Sequence, residues 1–337
     1  MPDHLQHQVL LRERPVGIPQ PHHFEIVATP IPTPGPNQVL IRNAFLSVEP
    51  AMRGWVNDAP NYLPPVPIGS VMRSYAVGRV VQSNHKSFHP GQAVTGMFGW
   101  QEWAAVPAST IERTLDDTIP ISTALGVLGL NGITAYFGLL DVGEPRPGDT
   151  VVVSTAAGSV GSCVGQIAKI AGCRTVGITG GPAKVALCRD AFRFDAAIDY
   201  RAPDFLDQLA AACPNGVDIY FDNTAGPIAD AVHALLAPRA RVVVCGTASI
   251  ADWVPPPQGP RLERTILVKR ARIAAILAFD YKSRYPEALA RLARWVQDGH
   301  LAYREDILDG IAQAPAAIAG LYNGENMGKR LIRVGPE

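Results

Sequence analysis

Short apolar runs of two kinds divide the chain. Up to about Leu125 they are brief, β-branched and punctuated by proline and glycine, as in Val39-Leu40-Ile41-Arg42, Ala76-Val77-Gly78-Arg79-Val80-Val81 and Ala93-Val94-Thr95-Gly96-Met97. Runs of that length, bounded by turns such as Pro90-Gly91, predict the strands of a compact, barrel-like β domain. Residues 127–140 predict a helical connection whose first turn is weakened by Gly129 and Gly132, and a turn follows over 145–148. Beyond it the period alternates. Strands are predicted over 151–154, 175–178, 196–198, 217–221 and 241–245. The helices between them run to about 171, from 182, over 203–212 and over 228–236. In the first, Val160, Val164, Ile167, Ala168 and Ala171 recur at helical spacing. A further strand is expected over 265–276 and a helix over 286–297. Strand–helix repetition of this kind specifies a parallel, doubly wound sheet. The expected class is α/β, with a β-rich domain over 1–126 that residues 300–337 rejoin, and a Rossmann-type domain over 127–299.

Size and composition fit that division. A chain of 337 residues exceeds the usual single core, and 47% hydrophobic with 18% charged residues describes a globular protein. Equal numbers of acidic and basic residues, 30 each, argue against a nucleic-acid or membrane-surface partner. Residues 1–20 contain no apolar core of a secretory leader, and no apolar run approaches the length of a membrane span. The five cysteines (Cys163, Cys173, Cys188, Cys213 and Cys245) have no metal-ligand or disulfide spacing. They read as small buried thiols in a reducing, cytoplasmic setting.

The chemistry concentrates after the strand at 151–154. Ser154-Thr155-Ala156-Ala157-Gly158-Ser159-Val160-Gly161 turns on small residues directly into a helix. Such a turn presents backbone N–H groups and a positive helix end to a pyrophosphate. The pattern is Ala-x-Gly-x-x-Gly, weak by itself. An NAD-type site carries an acid at the end of the second strand to hold the ribose 2′-hydroxyl. Here that strand ends in Thr179-Gly180-Gly181 with Lys184 just beyond, so a 2′-phosphate, and hence NADP(H), is expected.

At this point the chain resembles a family: the zinc-independent medium-chain reductases that include leukotriene B4 12-hydroxydehydrogenase/prostaglandin reductase and the bacterial curcumin reductases. The landmarks are Ser47-Val48-Glu49-Pro50-Ala51-Met52-Arg53-Gly54, Pro64-Pro65-Val66-Pro67-Ile68-Gly69, Thr134-Ala135-Tyr136-Phe137-Gly138, Tyr220-Phe221-Asp222-Asn223 and Asn326-Met327-Gly328-Lys329. The resemblance implies a GroES-like catalytic domain with a Rossmann domain between its two parts, and a homodimer, for which the apolar run 266–277 offers a sheet edge. It implies coenzyme contacts from Ala157, Gly158, Ser159, Val160 and Gly161 at the pyrophosphate. Thr179, Gly180, Lys184 and Tyr200 follow at the 2′-phosphate. The remaining contacts are Asn223, then Cys245, Gly246, Thr247 and Ser249, then Ile276, Leu277 and Ala278 beside the nicotinamide, and Asn326. Zinc alcohol dehydrogenases of the same fold need thiolate and histidine ligands in the first domain. No cysteine precedes Cys163, and His4, His7, His22, His23, His85 and His89 read as exposed loop histidines, so no metal is expected.

The implied reaction is hydride transfer from NADPH to the C=C of an α,β-unsaturated ketone or aldehyde, with donors placed where enolate charge develops. The family's tyrosines are missing at Ala51, at Ile250 or Ala251, and at Val268. Tyr62, Tyr281 and Arg53 remain as catalytic candidates, and Met52, Tyr62 and Trp100 as substrate-binding ones. A quinone reductase and a non-catalytic dinucleotide-binding protein are the alternative functions.

Overall fold

The structure is a computed structural model that describes residues 5–59, 61–116, 118–250, 255 and 257–337. Its contacts divide the chain into two compact units, Met1–Leu125 with Glu305–Glu337, and Gly126–Arg304.

In the first unit a hairpin of β1 (Leu5–Leu11) and β2 (Phe24–Pro30) stands as a two-stranded antiparallel sheet. β3 (Gln38–Ser47), β4 (Ala76–Ser83), β5 (Ala93–Gly96) and β7 (Ile111–Thr114) then pair antiparallel in that order, with β6 (Trp103–Pro107) on β3. A single helical turn, α1 (Met52–Trp55), follows β3. The core is built from Val9, Leu11, Val39, Ile41, Leu46, Val48, Met52, Trp55, Phe98 and Trp100, all out of contact with water.

The second unit opens with α2 (Leu130–Phe137), which continues as a wider π-type turn over Gly138–Gly143. Strands β8 (Thr150–Ser154), β9 (Arg174–Thr179), β10 (Ala196–Asp199), β11 (Val217–Asp222), β12 (Leu236–Val244) and β13 (Arg272–Ala275) form one parallel sheet in the order β10-β9-β8-β11-β12-β13. The helices α3 (Ser159–Ile170), α4 (Pro182–Asp190), α5 (Phe205–Ala212), α6 (Gly226–His233), α7 (Glu263–Lys269) and α8 (Tyr285–Gln297) connect or flank these strands. Val151, Val152 and Val153 are buried on both faces of the sheet, which is why β8 reads as an unbroken apolar run. The strand order reverses between β8 and β11, the position where open α/β sheets bind ligands at their carboxyl ends. The chain then returns to the first unit, where β14 (Glu305–Asp309) pairs parallel with β15 (Lys329–Arg333), β15 pairs antiparallel with β3, and α9 (Ala314–Tyr322) lies between them in sequence.

Three expectations are corrected. Residues 265–276 are not one strand: Glu263–Lys269 is helical, Arg270 ends it in a left-handed conformation at φ 53°, and only Arg272–Ala275 pairs in the sheet. The helix expected over 228–236 stops at His233, because Leu236 already belongs to β12 and pairs with Val217. The hairpin strand β1 is not among the expected elements, since its polar start hides it: Gln6 is buried and its side-chain carbonyl accepts the Trp103 N–H at 2.8 Å. Ala251 lies outside the described residues.

Candidate functional site

At the switch point the chain leaves β8 through Thr155, a non-glycine residue at φ 55°, and enters α3 at Gly158. The turn is held by Ala156 N–H to Ile178 O (3.0 Å) and Gly158 N–H to Thr155 O (2.9 Å). It leaves no room for a side chain at Gly161. A Cβ on Gly161 would sit 2.3 Å from the Thr155 carbonyl oxygen and 3.0 Å from Ala156 Cα, both backbone atoms that cannot step aside. The first N–H groups of α3 have no intrahelical acceptor and carry the positive end of the helix dipole. Ala157, Gly158, Ser159 and Val160 therefore form a cradle for an anion of pyrophosphate size.

The adjoining wall is set by a buried carboxylate. Asp222, at the end of β11, directs Oδ1 at the Ala225 N–H (2.8 Å), the Thr224 N–H (2.9 Å) and the Tyr220 hydroxyl (2.9 Å). That anchor holds Ala225 at φ 58°, ψ −162°, a conformation natural only to glycine. Asn223 bridges to the other side of the switch point: its N–H donates to Ser154 Oγ at 2.8 Å and its side-chain amide to Ser154 O at 2.7 Å. The loop 245–249 then stacks on this turn, with Cys245 N–H to Asp222 O at 2.8 Å and Ser249 Oγ to Thr224 O at 2.8 Å. Gly246 meets it closely, since a Cβ there would lie 3.0 Å from the Asn223 oxygen. Ile276 continues from β12's neighbour and donates to Val244 O at 3.1 Å, Ala278 is buried as well, and Leu277 is half-buried. The Cys245 thiol is pushed up to about 12 by desolvation and then by the Asp222 charge, so it stays protonated.

The far end of the cradle lies at the tips of β9 and β10. Thr179 is buried, Lys184 lies in the first turn of α4, and Tyr200 follows β10 with its N–H on Thr179 O at 3.0 Å. Gly180 is tight against Tyr200: a Cβ would meet its ring at 2.9 Å. Arg201 is a residue the sequence reading missed. Its guanidinium packs over the Tyr200 ring and Nε contacts the Tyr200 hydroxyl at 3.3 Å. A cation and a phenol thus meet beside Gly180, where an acid would stand in an NAD-specific site, and a second cation, Lys184, lies in the first turn of α4; such residues suit a phosphate. The signal was present in the sequence as a basic residue directly after Tyr200.

The first unit treats its candidates differently. Trp100 is fully buried, packs beside Phe24 with ring centres 5.5 Å apart, and donates its indole N–H to Ser47 O at 3.0 Å. Met52 is also fully buried in that core. Neither presents a surface to a substrate, which corrects both assignments. Arg53 is buried and its Nη1 donates to Asn57 Oδ1 at 2.7 Å. Glu49 is engaged elsewhere, with Lys329 Nζ (3.3 Å) and Ser47 Oγ (2.9 Å), and burial lowers the lysine's pKa. Tyr62 is 47% exposed. Asn326 is buried and closes its own turn by donating to Gly328 O at 2.8 Å. Tyr322, not foreseen, is half-buried and donates its hydroxyl to Pro50 O at 2.8 Å. In the second unit Tyr281 stacks on Phe137 with ring centres 4.4 Å apart, under Arg284, and burial raises its pKa.

A thiolate-ligated zinc of the alcohol dehydrogenase type does not fit this chain. All five cysteines lie in the second unit, and burial pushes the Cys163 and Cys188 thiols up to about 12 and the Cys173 and Cys213 thiols up to about 11.

Comparison with known proteins places the chain among oxidoreductases. A family model for the N-terminal domain of oxidoreductases matches residues 7–114, and one for zinc-binding dehydrogenases matches residues 159–294. The chain is 44% identical to the NADPH-dependent curcumin reductase of Escherichia coli (strain K12), over 96% of each chain. It is 36% identical to the NADP(+)-dependent 2-alkenal reductase of Nicotiana tabacum, over 98% of each. Its structure is similar to that of CurA from Vibrio vulnificus in complex with NADPH, with a TM-score of 0.93 and 41% identity over 98% of this chain and 100% of that one.

Proposed function

This chain belongs to the medium-chain dehydrogenase/reductase family, in the prostaglandin reductase and curcumin reductase branch, and on that premise we propose that it is an NADPH-dependent ene-reductase. Its substrate is an α,β-unsaturated ketone or aldehyde. The observation that carries the coenzyme choice is the Arg201–Tyr200 pair beside a β9 end without an acid, with Lys184 in the first turn of the helix that follows. Curcumin reductase and 2-alkenal reductase, by their names, reduce conjugated carbonyl compounds, and this supports the acceptor class.

The residues divide the work as follows. The amides of Ala157, Gly158, Ser159 and Val160 hold the pyrophosphate, and Lys184, Tyr200 and Arg201 hold the 2′-phosphate. Asn223, the loop 245–249 and the backbone of Ile276, Leu277 and Ala278 position the remainder. When bound, NADPH supplies the hydride. The chain's own task is then to donate hydrogen bonds to the substrate oxygen as negative charge develops there. Tyr62, 47% exposed, is the proposed donor from the first unit, and Tyr281, whose stack on Phe137 engages the ring and not the hydroxyl, is the candidate from the second.

The same reading makes the protein a cytoplasmic homodimer. β13 ends the parallel sheet, and nearby Leu267 and Val268 of α7 and Ile273 of β13 expose large apolar side chains. Light scattering at micromolar concentration should return twice the 36.0 kDa chain mass. No helix among the described residues is long and apolar enough to cross a membrane.

The deciding experiment follows coenzyme oxidation with an aromatic enone, a 2-alkenal and a benzoquinone. Turnover of the two conjugated carbonyls with NADPH and not NADH is expected. Turnover of the quinone alone makes the protein a quinone reductase. Tight NADPH binding without turnover of any acceptor makes it a non-catalytic relative.

A further inference from the structure

The mouth of the β1–β2 hairpin gathers three metal-binding side chains that the reductase reading does not use. A carboxylate oxygen of Glu13 and a ring nitrogen from each of His22 and His23 lie within 4.8 Å of one another. The backbone sets this up. The His23 carbonyl accepts the N–H groups of Arg12 (2.8 Å) and Glu13 (3.3 Å), which pins residue 13 opposite residue 23. Pro21 starts the short 3₁₀ turn Pro21–His23 that carries both histidines, and their ring centres are 4.0 Å apart.

His23 is not the exposed loop histidine its sequence position suggests: it is buried, while Glu13 and His22 are exposed. Its Nδ1 faces two groups of the same residue, the Gln20 N–H at 2.8 Å and the Gln20 carbonyl oxygen at 3.1 Å. One tautomer accepts from the amide. The other, which gives up the bond from the Gln20 N–H and donates Nδ1–H to the carbonyl, frees Nε2 as a ligand, the arrangement by which a backbone carbonyl orients a metal-bound imidazole. Two imidazoles and a carboxylate are a borderline donor set suited to Zn²⁺, with water as the fourth ligand. Tetrahedral bonds of about 2.0–2.1 Å place ligand atoms about 3.4 Å apart, so rotation of the two exposed side chains closes the set on the buried one.

We propose that Glu13, His22 and His23 bind a zinc-class divalent cation that clasps the neck of the β1–β2 hairpin. The cation closes the loop over 13–22, which is otherwise held by Arg14 Nη1 on Val56 O (2.9 Å) and Val66 O (2.7 Å) and stiffened by Pro15, Pro19 and Pro21. It takes no part in the reductase chemistry. Among the described residues no cysteine joins a cluster of this kind.

The test titrates the whole, chelator-treated protein with ZnCl₂ by calorimetry, using Glu13→Gln, His22→Asn and, as a control on an exposed loop, His89→Asn. One saturable site per chain is expected in the parent and in His89→Asn, weakened by at least about ten-fold in the other two. Zn²⁺ raises the thermal midpoint of the parent and not of His22→Asn, and MgCl₂ does neither. Absence of a saturable site in the parent, or unchanged binding in Glu13→Gln and His22→Asn, overturns the proposal. Acceptor turnover is not read, so this outcome and that of the reductase assay are independent.

Discussion

Replacing Asp222 separates its role as an acceptor from its role as a charge. All three short bonds, from the Tyr220 hydroxyl and from the Thr224 and Ala225 N–H groups, end on one oxygen, Oδ1. Asp222→Ala leaves these donors buried without an acceptor. At about 1–3 kcal/mol each, partly relieved by relaxation, the loss is about 4 kcal/mol or more, a large share of a total stability of about 5–15 kcal/mol. Asp222→Asn keeps an oxygen at the same place and loses only the charge assistance, about 1–3 kcal/mol in all. Urea unfolding followed by circular dichroism reads both. With a slope of about 2–3 kcal/mol/M, Asp222→Ala lowers the midpoint by about 1.3–2 M, and Asp222→Asn by a smaller amount, about 0.3–1.5 M. The same asparagine variant weakens NADPH binding, because Asn223 and the loop 245–249 lean on the turn that Asp222 organises. If Asp222→Ala unfolds within 1 kcal/mol of the parent, the carboxylate is not the anchor described here.

Three further outcomes follow from single positions. His233 is buried, neither ring nitrogen has a hydrogen-bond partner among the described residues, and burial lowers its pKa despite Asp222 and Asp230 nearby. The unfolded chain therefore takes up a proton below about pH 6.5 that the folded histidine refuses, so stability falls as pH drops through that value. His233→Phe flattens this part of the stability–pH curve, and an unchanged curve refutes it. Ala225→Gly relieves the backbone at φ 58°, ψ −162° and raises stability by about 1 kcal/mol net of the added chain entropy, read as a higher thermal midpoint. Gly161→Ala drives a methyl into the Thr155 carbonyl and abolishes NADPH binding by calorimetry, and normal affinity would show that the turn is not the cradle.

Much of the second unit was legible because burial on both faces writes itself into composition. Val151, Val152 and Val153 have one reading, and the small residues after them have one use. The run Ile266-Leu267-Val268 was not legible, since apolar residues on a short exposed helix and on an edge strand look alike until Arg270 turns left-handed. Within the site, the missing acid at Thr179-Gly180-Gly181 was plain in the sequence, whereas Arg201 acquires meaning only through its place over Tyr200. Trp100 and Met52 misled for a physical reason. Amphipathic and thioether side chains serve a core and a pocket equally well, and it was the distant Ser47 carbonyl that committed the indole to the core.

The burial of four of the five cysteines, with only Cys245 part-exposed, bears on how the protein survives its own substrates. Conjugated ketones and aldehydes alkylate thiolates, and a thiol of pKa near 8.5 is a few per cent thiolate at pH 7. Thiols held at about 11 to 12 offer on the order of one thiolate in ten thousand or fewer, and four of the five are buried as well. A catalyst handling soft electrophiles is thereby denied a nucleophile of its own to poison. Intact-mass spectra of the native protein after exposure to a 2-alkenal should show its sulfur atoms untouched.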